Sequence, residues 1–283
     1  MNHQFLIKMA NYTIVNGNFY PEQEASLLVG DLAIQRGYGI FDFFKMIDGK
    51  LIFLEDHLDR FYQSAEAMHL SVVQSRNELK DYLYELTKKN ALPNSGIRIT
   101  LTGGYSPDGY ALAKPNMIIT QKALIVDKEI NTEGIKVFTH PHLRQLPYAK
   151  TLDYMMAIWL QPLIKQKGTH DVLYHDKGLV KECPRSNFFI VTKDNKVLTS
   201  GTNVLKGIIR KKILALQVEG LKIEEREISL DDLLHCKEAF ITSSTKNILP
   251  VTTIDGKLVG DGTAGEVSRA LYQELKQVIY SNS

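Results

Sequence analysis

Apolar and polar positions alternate in short runs near the start of the chain and then change period. Tyr12-Thr13-Ile14-Val15 and Asn18-Phe19-Tyr20 flank Asn16-Gly17, a pair that tolerates positive φ and closes a two-residue hairpin. Residues 41–46 and 50–54 flank Asp48-Gly49 in the same way, so a second hairpin is expected there. From Leu54 the period becomes helical. Leu54, Leu58, Phe61, Ala65 and Met68 recur at steps of four, three, four and three, and Glu55 and Asp56 fall in the first turn, where carboxylates suit the helix dipole.

Strands are predicted at 96–102 and 116–120, followed by Gln121-Lys122-Ala123 and the polar stretch 127–134. The expected organisation is therefore a small N-terminal α/β domain over 1–120, a connecting loop over 121–126, and a larger C-terminal domain over 127–283. In the second part, 135–139, 172–176, 188–192 and 239–242 read as strands, and 152–165, 207–218 and 265–279 as helices. Pro162 should kink the first of these helices, because it removes a backbone hydrogen bond. The fold class is mixed α/β or α+β in two lobes.

Composition narrows the function classes. The 283 residues carry 34 Lys+Arg against 32 Asp+Glu, with the two signs mixed along the chain, so no basic stripe for nucleic acid is seen. With 44% hydrophobic and 23% charged residues the chain can build a sizeable core. Neither a signal-peptide run nor a membrane span is found, and a soluble, cytoplasmic protein is expected. Cys183 and Cys236 lack CxxC spacing and read as reduced thiols. The histidines are scattered without HExxH; His140 and His142 can share a strand face, but two ligands do not make a metal site, so no metal is expected.

Four stretches carry candidate chemistry. Lys150 stands between apolar residues just ahead of a helix, where a lowered pKa would suit Schiff-base chemistry; a lone lysine at such a junction is also commonly exposed along its stem. Glu182 lies beyond an Asp176-Lys177-Gly178 turn, near a strand end, with Asn187 entering the next strand. In Asn203-Val204-Leu205-Lys206-Gly207-Ile208-Ile209-Arg210 a glycine opens a helix whose first N–H groups suit a phosphate. In His57-Leu58-Asp59-Arg60 the arginine falls on the polar side of its helix, where a surface salt bridge is the default.

In this order and spacing, together with Thr242-Ser243-Ser244-Thr245 and Ile254-Asp255-Gly256-Lys257, the set resembles the class IV aminotransferases from about Tyr12 to about Leu275. These are pyridoxal 5'-phosphate enzymes of the branched-chain and D-amino-acid aminotransferase fold, fold type IV. The resemblance implies that Lys150 is the internal Schiff-base lysine and the base that moves the substrate's Cα proton. It implies that Glu182 pairs with the pyridine nitrogen and that Tyr154 reaches the cofactor 3'-oxygen, while Leu205 packs on the ring. Arg60, the backbone of Ile208 and Ile209, and Ser244 would hold the phosphate, with Thr245 beside them toward the substrate; Asn187 reads as structural. Amino acid and 2-oxo acid substrates and a homodimer sharing residues between subunits follow from the same resemblance.

The chain departs from the family pattern at Ile209, where threonine is common, at Gly96, where tyrosine is usual, and in a shorter 36–42 loop. D-specific members hold the substrate carboxylate with an arginine just after Ser-Pro, and Ser106-Pro107 is followed here by Asp108. Branched-chain members use an arginine in the preceding strand, which Arg98 matches; Arg98, Tyr38 and Phe41 are the expected substrate pocket. A branched-chain-like L-amino acid aminotransferase is the leading expectation. Aminodeoxychorismate lyase, which eliminates pyruvate with the same lysine and cofactor, and D-amino-acid aminotransferase stand as alternatives, and a cofactor-binding scaffold without turnover is set behind them.

Overall fold

The computed structural model describes residues 11–281, and the chain divides into two compact units, Met1–Val126 and Asp127–Ser283. The first contains β1 (Tyr12–Val15), β2 (Asn18–Pro21), α1 (Leu32–Arg36), β3 (Gly39–Ile47), β4 (Lys50–Leu51), α2 (Leu54–Ala67), α3 (Arg76–Asn90), β5 (Ser95–Thr102) and β6 (Met117–Ala123). Its strands form one antiparallel sheet in the order β2-β1-β6-β5-β3-β4. Both hairpins close as their turn residues require, with Asn16, Gly17, Asp48 and Gly49 at positive φ.

The stripe of α2 lies in the core: Leu54, Leu58, Phe61, Ala65 and Met68 are all buried. β4 stops at Leu51, short of the expected 54, because Phe53 turns left-handed at φ 54 to start α2. α3 has no counterpart among the predicted elements, although Ser75 and Glu78 form a complete capping box ahead of it. Gln121-Lys122-Ala123, expected in a connecting loop, instead extend β6; Gln121 is buried and donates to Ser95 Oγ at 2.8 Å.

The sheet's two faces differ. Ile14, Ile40, Asp42, Phe44, Ile97, Ile99, Leu101 and Ile119 alternate onto one buried face, and α2 meets it through a Phe44–His57 ring contact at 5.4 Å. The opposite face carries Phe41, Phe43, Arg98, Thr100 and Thr120, most of them only half-buried. An added Cβ on Gly96 would lie 2.4 Å from Phe43 Cζ, so the ring of Phe43 fills the place where the family's tyrosine would stand.

The second unit runs β7 (Ile135–Pro141), α4 (Met155–Trp159), α5 (Gln161–Gln166), β8 (Asp171–Asp176), β9 (Leu179–Val180), β10 (Glu182–Cys183), β11 (Ser186–Val191), β12 (Lys196–Thr199), α6 (Ile208–Leu214), β13 (Lys222–Glu225), β14 (Ile228–Ser229), α7 (Asp232–His235), β15 (Glu238–Ser243), β16 (Asn247–Ile254), β17 (Lys257–Leu258) and α8 (Glu266–Ser281). The mixed sheet is ordered β13-β12-β11-β15-β16-β7-β8-β9-β14, with β10 on β11 and β17 on β16. Its middle is apolar on both faces: Phe188, Phe189, Ile190 and Val191 are fully buried, and Phe189 stacks on Phe240 at 4.9 Å. The helix expected over 152–165 is two helices, since Pro162 has no N–H to continue the first and sits instead in the opening turn of α5.

No described helix is long and apolar enough to cross a membrane. α8 is fastened at its start by buried Glu238, which accepts from Val267 N (2.9 Å), Ser268 N (2.8 Å) and Ser268 Oγ (2.7 Å). Glu238→Ala removes the acceptor of all three hydrogen bonds and should cost about 1–3 kcal/mol in chemical unfolding, as expected for charged hydrogen bonds to buried donors. A change within about 0.5 kcal/mol would show that water replaces the carboxylate.

Candidate active site

In the second unit the chemistry gathers on the β10–β11 hairpin. The turn at Lys177 and Gly178, both at positive φ, sends β8 back as β9, and Glu182 then pairs across β10–β11 with Asn187. Glu182 is 4% exposed. Its Oε1 accepts from Arg144 Nη1 at 2.9 Å, and its Oε2 from Leu205 N at 3.1 Å and Asn187 Nδ2 at 3.3 Å. Burial raises the carboxyl above its ordinary value, and Arg144, the Leu205 N–H and the charge of Lys150 all pull the other way.

Lys150 is half-buried in the irregular segment ahead of α4 and lies within electrostatic reach of Glu182. The residue before it, Ala149, is fully buried, and its carbonyl accepts from Arg144 Nη2 at 3.2 Å. Tyr154 occupies the N-cap of α4 and is half-buried. Asn187, read as structural, is part of the carboxylate's cradle: it also donates to Leu205 O at 2.7 Å. An added Cβ on Gly207 would lie 2.1 Å from Asn187 Oδ1, so a side chain at 207 would displace that cradle.

Gly207 caps α6 and provides no side chain to its first N–H groups. The side chains of Ile208 and Ile209 are buried, which leaves only their backbone to meet a phosphate. Ser244 and Thr245 lie in the turn between β15 and β16, Ser244 half-buried and Thr245 exposed.

In the first unit Arg60 is not on the polar side of α2. It is 8% exposed, and its Nε and Nη2 donate to the two oxygens of Asp42, both at 2.8 Å. His57 Nδ1 meets the same carboxylate at 2.6 Å. A buried guanidinium needs such a partner, and Asp42 supplies it from the α2-facing side of β3. Burial on its own would raise the Asp42 carboxyl; Arg60 and His57 beside it outweigh that and hold it well below the usual carboxylate range.

Arg98 lies on the other face of the sheet, its guanidinium 3.9 Å from the centroid of Phe41 and its Nε 3.2 Å from Thr100 Oγ1. Tyr38, expected beside them, is directed elsewhere: its hydroxyl donates to Met68 O at 2.7 Å, at the C-terminal end of α2. The expected three-residue wall is thus reduced to Arg98 and Phe41. Tyr38 stands just ahead of β3, an odd number of positions from Phe41, so an extended backbone sends the two side chains to opposite sides.

Asp42 and Arg144 are the residues that sequence reasoning missed. Asp42 stands in an apolar strand, itself a signal that a buried charge has a partner. Arg144 offers none, because its partner is 38 positions away. No group of three or more potential metal ligands occurs among the described residues. Cys183 and Cys236 are free and buried, and burial pushes the Cys236 thiol up to about 11.

A pyridoxal phosphate can be tested against Glu182. An ionised carboxylate offers about four lone-pair sites, and three donors occupy Glu182, so one place on Oε1 remains for a ring N–H. Lys150 would supply the amine for the aldehyde, and the residues present fit the group.

A family model described as amino-transferase class IV matches residues 39–254. A Methanocaldococcus jannaschii protein provisionally named a branched-chain-amino-acid aminotransferase is 29% identical over 278 residues, 93% of this chain and 95% of the relative. The D-alanine aminotransferase of Bacillus licheniformis is 30% identical over 278 residues, 95% of this chain and 98% of the relative. Among solved structures, the branched-chain amino acid aminotransferase from Escherichia coli superposes with a TM-score of 0.85 at 24% identity, covering 95% of this chain and 94% of that one. The two-lobed fold expected from the sequence agrees with this likeness.

The depressed carboxyl of Asp42 sets a pH dependence. Its folded value lies below the unfolded one, so the pair's stabilisation is complete above the unfolded pKa of about 4 and is lost as pH falls through the folded value. Asp42→Asn, which strands Arg60, should destabilise by about 3–5 kcal/mol near neutrality. The gap between variant and wild type should narrow as unfolding is followed into acid. A gap that stays constant below pH of about 4 would refute the assignment.

Proposed function

The chain belongs to the class IV amino-transferases and is a pyridoxal-phosphate-dependent aminotransferase, and from that premise we propose that it exchanges amino groups between a branched-chain-like L-amino acid and a 2-oxo acid as a homodimer. The observation that carries the substrate reading is Arg98 lying over Phe41 on the half-open face of the first unit's sheet. A cation against an aromatic wall suits a carboxylate with an apolar side chain next to it. At Asp108, where a D-specific member would place arginine, the carboxylate accepts from Tyr110 N (2.9 Å), Ala111 N (2.7 Å) and Ser106 Oγ (3.1 Å). Those hydrogen bonds hold its carboxyl below the ordinary value, so this turn presents negative charge and repels a substrate carboxylate.

When bound, pyridoxal phosphate supplies an aldehyde that joins amines and a ring that draws off the electron pair left at the substrate's Cα. Lys150 would hold the cofactor through its amine and would act as the base toward the substrate's Cα proton. Glu182 keeps the ring nitrogen protonated, and its own ionisation is secured by Arg144, Asn187 and the Leu205 N–H. By the resemblance, Tyr154 would meet the 3'-oxygen and Leu205 would pack on the ring. By the family resemblance, Arg60, whose Nε and Nη2 are held by Asp42, would serve the phosphate, as would the first N–H groups of α6 and Ser244. Thr245 stands next to Ser244 on the substrate side.

The dimer is supported by exposed Met155, Ile158 and Trp159 on α4, a cluster of apolar side chains that water would leave uncovered. The relatives' names divide between branched-chain and D-alanine substrates, so the donor decides the reading. The purified protein should show visible absorbance that Lys150→Ala abolishes and that L-leucine with 2-oxoglutarate bleaches and restores. Arg98→Ala should raise KM for L-leucine about 10- to 100-fold, the worth of one charged contact. Turnover of D-alanine with L-leucine inert would sink the substrate reading, and pyruvate release from aminodeoxychorismate without amino transfer would move the reaction to the lyase.

A further inference from the structure

The guanidinium of Arg144 touches both halves of the chemistry assigned to the second unit. Nη1 donates to Glu182 Oε1 at 2.9 Å and Nη2 to the carbonyl of Ala149 at 3.2 Å, one residue ahead of Lys150. The Arg144 side chain is 15% exposed and that of Glu182 5%, so water screens the pair poorly. The segment between β7 and α4 that bears Lys150 has no regular structure; its local support is a turn in which Ala149 N donates to Leu146 O at 2.9 Å, with Leu146 at positive φ. Arg144 therefore ties an irregular, lysine-bearing segment to the rigid β10–β11 hairpin.

We propose that Arg144 is a positioning residue of the transamination: one planar fork holds the Glu182 carboxylate ionised under the cofactor ring nitrogen and fixes the backbone from which Lys150 reaches the aldehyde. The proposal rests on the assignment of Lys150 and Glu182 given above. Two physical requirements meet in the one side chain. A carboxylate as buried as Glu182 takes up a proton unless a cation compensates it, and a neutral acid there cannot keep a proton on the ring nitrogen. Burial does raise the Glu182 carboxyl, and Arg144 is the strongest group opposing that rise. The second requirement is geometric: acceptors on two different segments must be met at once, which a fork does and a lysine ammonium does less well.

The charged and titratable groups facing Glu182 are Arg144 and Lys150, with the Cys183 thiol adjacent in sequence and pushed far up by burial. Asn187 and the Leu205 N–H face it as neutral donors. With the guanidinium charge removed, the Leu205 N–H and the charge of Lys150 still act to lower the carboxyl.

Arg144→Lys and Arg144→Gln, made in the full chain and reconstituted with pyridoxal phosphate, separate the two requirements. Arg144→Gln should lose cofactor on dialysis with an apparent Kd raised at least about tenfold, and the pH midpoint of the visible absorbance should move by about one unit or more. Arg144→Lys should restore most of the pH midpoint, because the charge is back, yet keep a reduced kcat with KM for the amino donor little changed, because Ala149 has lost its anchor. Thermal unfolding of each apo-protein checks that the fold persists, and Arg144→Lys carries the test if Arg144→Gln does not fold. Wild-type cofactor retention, pH midpoint and kcat in a folded Arg144→Lys or Arg144→Gln would overturn the proposal. Lys150→Ala serves as the control: if it retains the visible absorbance, the site assignment itself fails, whereas its loss beside unaffected Arg144 variants condemns the role of Arg144 alone.

Discussion

A carboxylate withdrawn from water has to be surrounded by donors, and the arrangement of the second unit follows from meeting that demand at Glu182. Three donors from three segments converge on it: Arg144 ahead of α4, Asn187 from β11, and the backbone of Leu205 ahead of α6. Each fixes something else in turn. Arg144 holds the carbonyl beside Lys150, Asn187 holds the Leu205 carbonyl, and the close approach of Asn187 restricts position 207 to glycine at the start of α6. A single buried charge thereby sets the lysine segment, the hairpin and the helix start in one register.

The first unit meets the same constraint with the signs exchanged. Arg60, buried under the sheet, is matched by Asp42 through two parallel hydrogen bonds, and His57 completes the cluster. On the other face Arg98 is held over Phe41 in a half-buried setting. One sheet thus keeps two cations in different dielectric surroundings, the deeper one neutralised by a partner and the shallower one steadied by an aromatic ring and a hydroxyl.

Local signals carried much of this. Asn-Gly and Asp-Gly pairs, the stripe of α2 and Pro162 act within a few residues of themselves, so they read directly from the chain, and the hairpins, α2 and the break between α4 and α5 appear where those signals put them. What escaped depends on distant pairing. Arg60 looked solvated because nothing nearby announces Asp42, 18 positions earlier on another element. Arg144 had no local signature at all. Tyr38 was placed in the pocket with Arg98 and Phe41, and its hydroxyl instead donates to the Met68 carbonyl at the end of α2. At Gly96 the sequence showed only a departure from tyrosine, and the ring of Phe43 beside it becomes visible only across the β3–β5 register.

The family membership establishes the reaction class, and the buried cradle around Glu182 accounts for how this chain would support it. In the proposed reading Glu182 is ionised and faces a protonated ring nitrogen, with Arg144 as the reason the carboxylate keeps its charge. The direct measurement is the nitrogen-15 NMR shift of ring-labelled pyridoxal phosphate bound to the wild-type protein at neutral pH. The expected result is the shift of a protonated pyridine nitrogen hydrogen-bonded to a carboxylate. The shift of a bare, unprotonated pyridine nitrogen would contradict it, because Glu182 would then be holding its own proton in a site built for an anion.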